Sequence, residues 1–74
     1  MTALLQMLEE AERLVLRCEI RLEQYRIHAR HSRGSERLVM LSDIRRYEEA
    51  YRKLQALREA IRRDIELEQA FDAA

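Results

Sequence analysis

The sequence predicts an all-α fold: a two-helix antiparallel hairpin, coiled-coil-like, completed by a partner or by dimerisation. Three observations carry this. Glycine and proline number one and none in 74 residues, so the turn chemistry that an all-β fold needs is missing. Apolar residues recur at heptad spacing along two long stretches. A single punctuation mark, Arg30-His31-Ser32-Arg33-Gly34-Ser35, separates those stretches.

The first stretch carries apolar or small residues at Leu4, Leu8, Ala11, Val15, Cys18, Leu22, Tyr25 and Ala29, a 4-3-4-3-4-3-4 spacing without a miss. That spacing keeps one seam on one face of a helix. Gly34 enters the left-handed conformation of a helix C′ position without a Cβ penalty. Ser35 follows as an N-cap for a second helix, and Ser42-Asp43 is a second candidate start. The earlier start is preferred, because Arg37 to Leu41 contains no breaker. In the second stretch Tyr47, Ala50, Leu54, Leu57 and Ile61 form the expected seam, widened by Ile44, Tyr51 and Ile65. The expected organisation is one domain over 1–74, with helix 1 about 2–32, a turn about 33–35 and helix 2 about 36–70. Acid-then-base pairs at i,i+4 (Glu9–Arg13, Glu48–Arg52, Glu49–Lys53, Glu59–Arg63) add a few tenths of a kcal/mol each on the exposed faces.

Composition narrows the function. Hydrophobic residues are 47% and the net charge is zero, which argues against disorder. So small a core barely stabilises itself, leaving no scaffold for a deep catalytic pocket, and the expectation is a non-enzymatic protein without cofactor. Cys18 is the only cysteine; with no internal disulfide the chain suits a reducing compartment, the cytoplasm. The apolar run Met1 to Leu8 lacks a basic flank and ends at Glu9-Glu10, far short of a membrane span.

Two helices bury one stripe each, and a hairpin of this size needs more. At about 100° per residue, Leu5, Leu16, Ile20 and Ile27 share the back of helix 1, away from the seam. Leu16, Ile20 and Ile27, three large aliphatics on one exposed face, are costly for a monomer, so this stripe with Leu5 is expected to bind a partner. Helix 2 has a weaker back stripe, Leu38, Ala56, Ala60 and Leu67, in which Ala56 and Ala60 permit close approach of another helix. The expected partner-binding set is therefore Leu5, Leu16, Ile20, Ile27, Ala56, Ala60 and Leu67. Charge is segregated as well. Arg26 to Arg37 holds four arginines, two histidines and one glutamate, whereas Asp64 to Ala74 holds four acids and no base. A hairpin thus has a basic turn end and an acidic open end.

Other chemistry finds little footing. His28 and His31 lack the further ligands that zinc requires, so no metal site is expected. Cys18 on the seam reads as a packed small hydrophobe rather than a nucleophile. Tyr25, Tyr47 and Tyr51 lie on or beside the seam as core residues with rim hydroxyls. Thirteen of the fourteen basic residues are arginine, but they alternate with glutamates in a neutral domain, and nucleic acid binding is disfavoured.

At Asp43-Ile44-Arg45-Arg46-Tyr47, followed by Ala56-Leu57 and Ala60-Ile61, the chain resembles the small E-type co-chaperones of type III secretion needle subunits, the YscE/PscE family. The shared features are a tyrosine in the first turn of the second helix, an Ala-Leu pair nine residues on, then a small residue and an aliphatic. Met1-Thr2-Ala3-Leu4 and the overall size add to the likeness, which spans Asp43 to Ile65 plus the first four residues. The resemblance implies a helical hairpin packed on a tetratricopeptide-like chaperone, the two together keeping a needle subunit monomeric in the cytoplasm. Two other readings fit the residues: a homodimeric four-helix-bundle scaffold or RNA-binding regulator formed by self-association, and a small inhibitor of a larger protein machine.

Overall fold

The computed structural model describes residues 2–73; Met1, part of the N-terminal run and of the resemblance, and Ala74 lie outside them. Among the described residues the chain is all-helical, with α1 over Thr2–His31 and α2 over Gly34–Ala73. Ser32 and Arg33 are the only residues between them. The forty residues of α2 correspond to about 60 Å at 1.5 Å per residue, and the molecule is a rod of 61 × 14 × 14 Å. α2 therefore runs its whole length.

The reversal uses the glycine. Gly34 has φ +62° and opens α2, with no atom near the place a Cβ would occupy. The Ser32 amide donates to the Ala29 carbonyl at 3.3 Å, and the Ser32 hydroxyl donates to the His28 carbonyl at 2.9 Å. These bonds close the end of α1, where free carbonyls otherwise need partners. Ser42-Asp43 lies well inside α2 and starts nothing. Tyr47, which the resemblance places in the first turn of the second helix, stands more than three turns in, because α2 begins at Gly34.

The helices pack antiparallel. Tyr25 meets Tyr47, Glu19 meets Tyr51 and Glu12 meets Arg62, so partner numbers rise as those of α1 fall. On α1 the seam is the one its spacing predicts, with Ala11, Val15, Leu22 and Ala29 buried and Leu4, Leu8, Cys18 and Tyr25 half-buried. On α2 the seam is Met40, Ile44, Tyr47, Tyr51, Leu54, Arg58, Ile61 and Ile65, all buried or half-buried. This corrects the expected register, since Ala50 and Leu57 are exposed. Both choices keep heptad spacing through Tyr47, Leu54 and Ile61. The structure takes Tyr51 and Arg58 where the more apolar alternative was Ala50 and Leu57, and so gains Ile44, Tyr51 and Ile65 as full seam members.

Arg58 divides the core. Ala11, Ile61 and Ile65 form one buried cluster with Leu4 and Leu8 against it. Leu22, Ala29 and Ile44 form another with Tyr25, Met40, Tyr47 and Tyr51. Arg58 lies between them along α2; its Nε is buried without a hydrogen-bond partner, 3.9 Å from Glu59 Oε1. An unsatisfied buried donor of this kind costs stability.

Of the expected i,i+4 pairs, Glu9–Arg13 and Glu49–Lys53 form, at 3.9 and 3.6 Å. Glu48 instead crosses to Arg26 at 3.6 Å, and Glu59 turns to Arg62 at 2.9 Å and to Arg58. Cross-helix partners and a closer i,i+3 geometry outcompete the i,i+4 choice at these two positions.

Candidate functional site

The hairpin has four long faces besides the seam: the two backs and the two flanks where both helices show. One flank is polar. Glu12 and Arg62 approach to 3.3 Å, Glu19 accepts a hydrogen bond from the Tyr51 hydroxyl at 2.6 Å, and Arg26 pairs with Glu48. A shallow depression there is lined by Glu19, Glu23, Arg26, Glu48, Tyr51 and Arg52, among others. Hydrogen bonding to the Glu19 carboxylate holds the Tyr51 phenol above its ordinary pKa, because that carboxylate favours the neutral, donating form. Tyr47 is raised too, chiefly by hydrogen bonding to Tyr25, whose ring it meets edge-on with centroids 5.1 Å apart.

The opposite flank is apolar at its middle and open end. Ala3, Met7, Leu14, Leu57 and Ile61 line a groove there, with Glu10 at its rim. Leu57, placed by the expected register in the core, is 47% exposed on this groove. The flank was missed in the sequence because its residues come from both helices. Only the angular position of Met7, Leu14 and Leu57 beside their seams signalled it.

The expected partner-binding residues are all exposed. Leu5, Leu16, Ile20 and Ile27 share the back of α1, and Ile20 is 53% exposed. Charged and amide side chains rim that stripe, Glu9, Glu12 and Arg13 beside Leu16, and Arg17, Arg21 and Gln24 beside Ile20. An apolar centre with a polar rim is the ordinary anatomy of a protein interface. Ala56, Ala60 and Leu67 lie on the back of α2, which faces the other way at about 100° per residue. The seven residues are therefore two surfaces on opposite sides of a rod 14 Å thick, not one site. Phe71, 79% exposed near Leu67, extends the second of them.

The segregated charge survives in three dimensions. The last turn of α1 carries His28, Arg30 and His31, a favourable complement to its helix dipole, while the last turn of α2 has no base. His28 Nε2 lies 3.3 Å from Glu36 Oε1 across the turn. Among the described residues no group of three or more His, Cys, Asp or Glu side chains is placed to hold a metal ion, and no helix is long and apolar enough to cross a membrane. No family model, curated protein or solved structure matches the chain.

Proposed function

We propose that this chain is a non-enzymatic helical adaptor or co-chaperone that works by lending its exposed helix faces to a protein partner in the cytoplasm. One observation carries the reading: among the described residues seven apolar side chains are buried, two of them alanines, while eleven large hydrophobics are exposed. Apolar area left in water is stabilising only when something covers it, at about 25 cal/mol per Å². The back of α1 is the principal surface, with Leu16 and Ile20 as its centre and Leu5 and Ile27 at either end.

The specific partner we assign is the one the resemblance implies, a tetratricopeptide-like chaperone that holds a type III secretion needle subunit. A concave helical-repeat groove suits a rod whose α1 back carries an apolar stripe, and Asp43 to Ile65 supplies the sequence likeness. The test is co-expression of the tagged full chain with the needle subunit and the tetratricopeptide-like chaperone of its own host. A stable ternary complex on gel filtration, lost with Ile20→Asp while helicity stays intact, is the expected result. Failure of the wild-type chain to retain either protein would sink this assignment. Loss of helicity in Ile20→Asp would show instead that Ile20 belongs to the hairpin core.

A further inference from the structure

We propose that a second copy of this chain docks on the apolar flank, antiparallel to the first, about a two-fold axis that crosses the rod beside Leu14 and Leu57. The result is a four-helix bundle whose new interface uses the apolar residues of neither back stripe, and Arg17 and Arg21 stand on the edge that this flank shares with the back of α1. This docking goes beyond the partner binding proposed above and leaves the Leu16 and Ile20 surface outward.

Charge complementarity identifies the occupant. At about 100° per residue, Glu10, Leu14, Arg17 and Arg21 fall on or beside this flank on α1, and Arg46, Lys53, Leu57 and Asp64 do so on α2. All six charged side chains among these are exposed. At 1.5 Å per residue, Glu10 lies about 6 Å from Leu14 toward the open end, with Arg17 and Arg21 about 4.5 and 10.5 Å toward the turn. Asp64 lies about 10.5 Å from Leu57 toward the open end, with Lys53 and Arg46 about 6 and 16.5 Å toward the turn. A two-fold axis in the interface plane, perpendicular to the rod, lays α1 on the partner's α1 and α2 on the partner's α2 with their directions reversed. Glu10 then falls between Arg17 and Arg21 of the second copy, and Asp64 falls between its Lys53 and Arg46. A parallel docking, about an axis along the rod, would lay α1 on the partner's α2 and set Glu10 against Asp64, acid on acid, so the charges select the antiparallel one.

The middle of the flank fits the same axis. Leu14 and Leu57 cross their own copies there, with half-buried Cys18 and Leu54 beneath and the small Ala50 alongside. With the axis beside Leu57, about 5 Å from the middle of α2 at 1.5 Å per residue, roughly 50 Å of the 14 Å-wide face overlaps, about 700 Å² per partner and within the range of specific interfaces.

The experiment is sedimentation equilibrium and native mass spectrometry on the purified full chain and two charge-reversed variants, Glu10→Arg/Asp64→Arg and Arg21→Glu/Arg46→Glu. The wild type is expected to be a dimer. Each variant alone is expected to dimerise at least roughly tenfold more weakly, since like charges then oppose each other. An equimolar mixture of the two is expected to recover a 1:1 heterodimer, because the reversed ends complement one another. Leu57→Asp should give a helical monomer, and Ile20→Asp should leave the dimer intact. A monomeric wild type overturns the proposal, as does a dimer indifferent to both reversals or a mixture without heterodimer. A dimer broken by Ile20→Asp and not by Leu57→Asp overturns it as well and places self-association on the back of α1.

Discussion

Tyr51 donates its hydroxyl hydrogen to Glu19 at 2.6 Å, joining α2 to α1 on the flank that also carries Glu12–Arg62 and Arg26–Glu48. The two long sides of the hairpin thus differ in kind. One is latched by polar side chains that reach across the seam, and the other is an apolar groove. The latched side satisfies its own polar groups, so it has little to gain from a partner. The groove has apolar surface still in water.

Alkaline pH should loosen the hairpin through these phenols. Tyr51 and Tyr47 are both held above the ordinary value of 10.0, by hydrogen bonding to Glu19 and to Tyr25 respectively. A raised folded-state pKa means that the fold favours the neutral phenol. Its stabilising effect is complete below 10 and is lost as pH rises through the raised folded value. Thermal melts of the wild type should fall as pH climbs past 10, and Tyr51→Phe should be slightly less stable at neutral pH with a shallower alkaline fall. An alkaline fall equally steep in Tyr51→Phe would contradict this role.

The α2 register can be tested by two substitutions with opposite expectations. Ile61 is 3% exposed, so Ile61→Ala should cost about 2–5 kcal/mol, enough to unfold much of so small a domain. Ala50 is exposed, so Ala50→Lys should stay within about 0.5 kcal/mol of wild type. Urea denaturation followed by circular dichroism measures both. A large loss in Ala50→Lys would restore the register in which Ala50 and Leu57 face α1.

The difference between the two helices explains how far the sequence could be read. On α1 the seam from Leu4 through Ala29 runs without a miss, and the neighbouring apolar residues Leu5, Met7, Leu14 and Leu16 make no second unbroken run, so the buried face is marked. On α2 Tyr47, Leu54 and Ile61 are shared by two registers, and apolarity favours Ala50 and Leu57 between them. What decides is the extent of burial, since Ile44, Tyr51 and Ile65 together outweigh placing one arginine on the seam, and that sum depends on the facing residues of α1. The back stripe of Leu16, Ile20 and Ile27 was legible because it lies on one helix. The Leu14 and Leu57 groove was not, because it exists only once the helices are paired.

Arg58 makes the core weaker than its shape allows. Its Nε is buried between the two apolar clusters without a hydrogen bond, with the Glu59 carboxylate 3.9 Å away. Arg58→Leu removes that donor and joins the clusters with a side chain that suits a heptad seam. It should stabilise the hairpin by about 1–2 kcal/mol, which raises the Tm by several degrees in a domain of this size. A lower Tm would mean that the guanidinium makes interactions worth more than apolar continuity.

The turn gives the cleanest local test, because strain there is free of packing. Gly34 sits at φ +62° with open space where a Cβ would go, so a side chain meets no clash and any cost is conformational. An L-residue in the left-handed region costs roughly 1–2 kcal/mol, and asparagine tolerates it better than alanine. Gly34→Ala should therefore destabilise the hairpin by about that amount and Gly34→Asn by less, as read from paired thermal melts. Both variants should keep the helicity of the wild type at low temperature, since α1 and α2 remain joined by the same short connection. Equal melting of Gly34→Ala and wild type would show that the chain reverses without a left-handed residue, and the observed turn would then not be the one populated in solution.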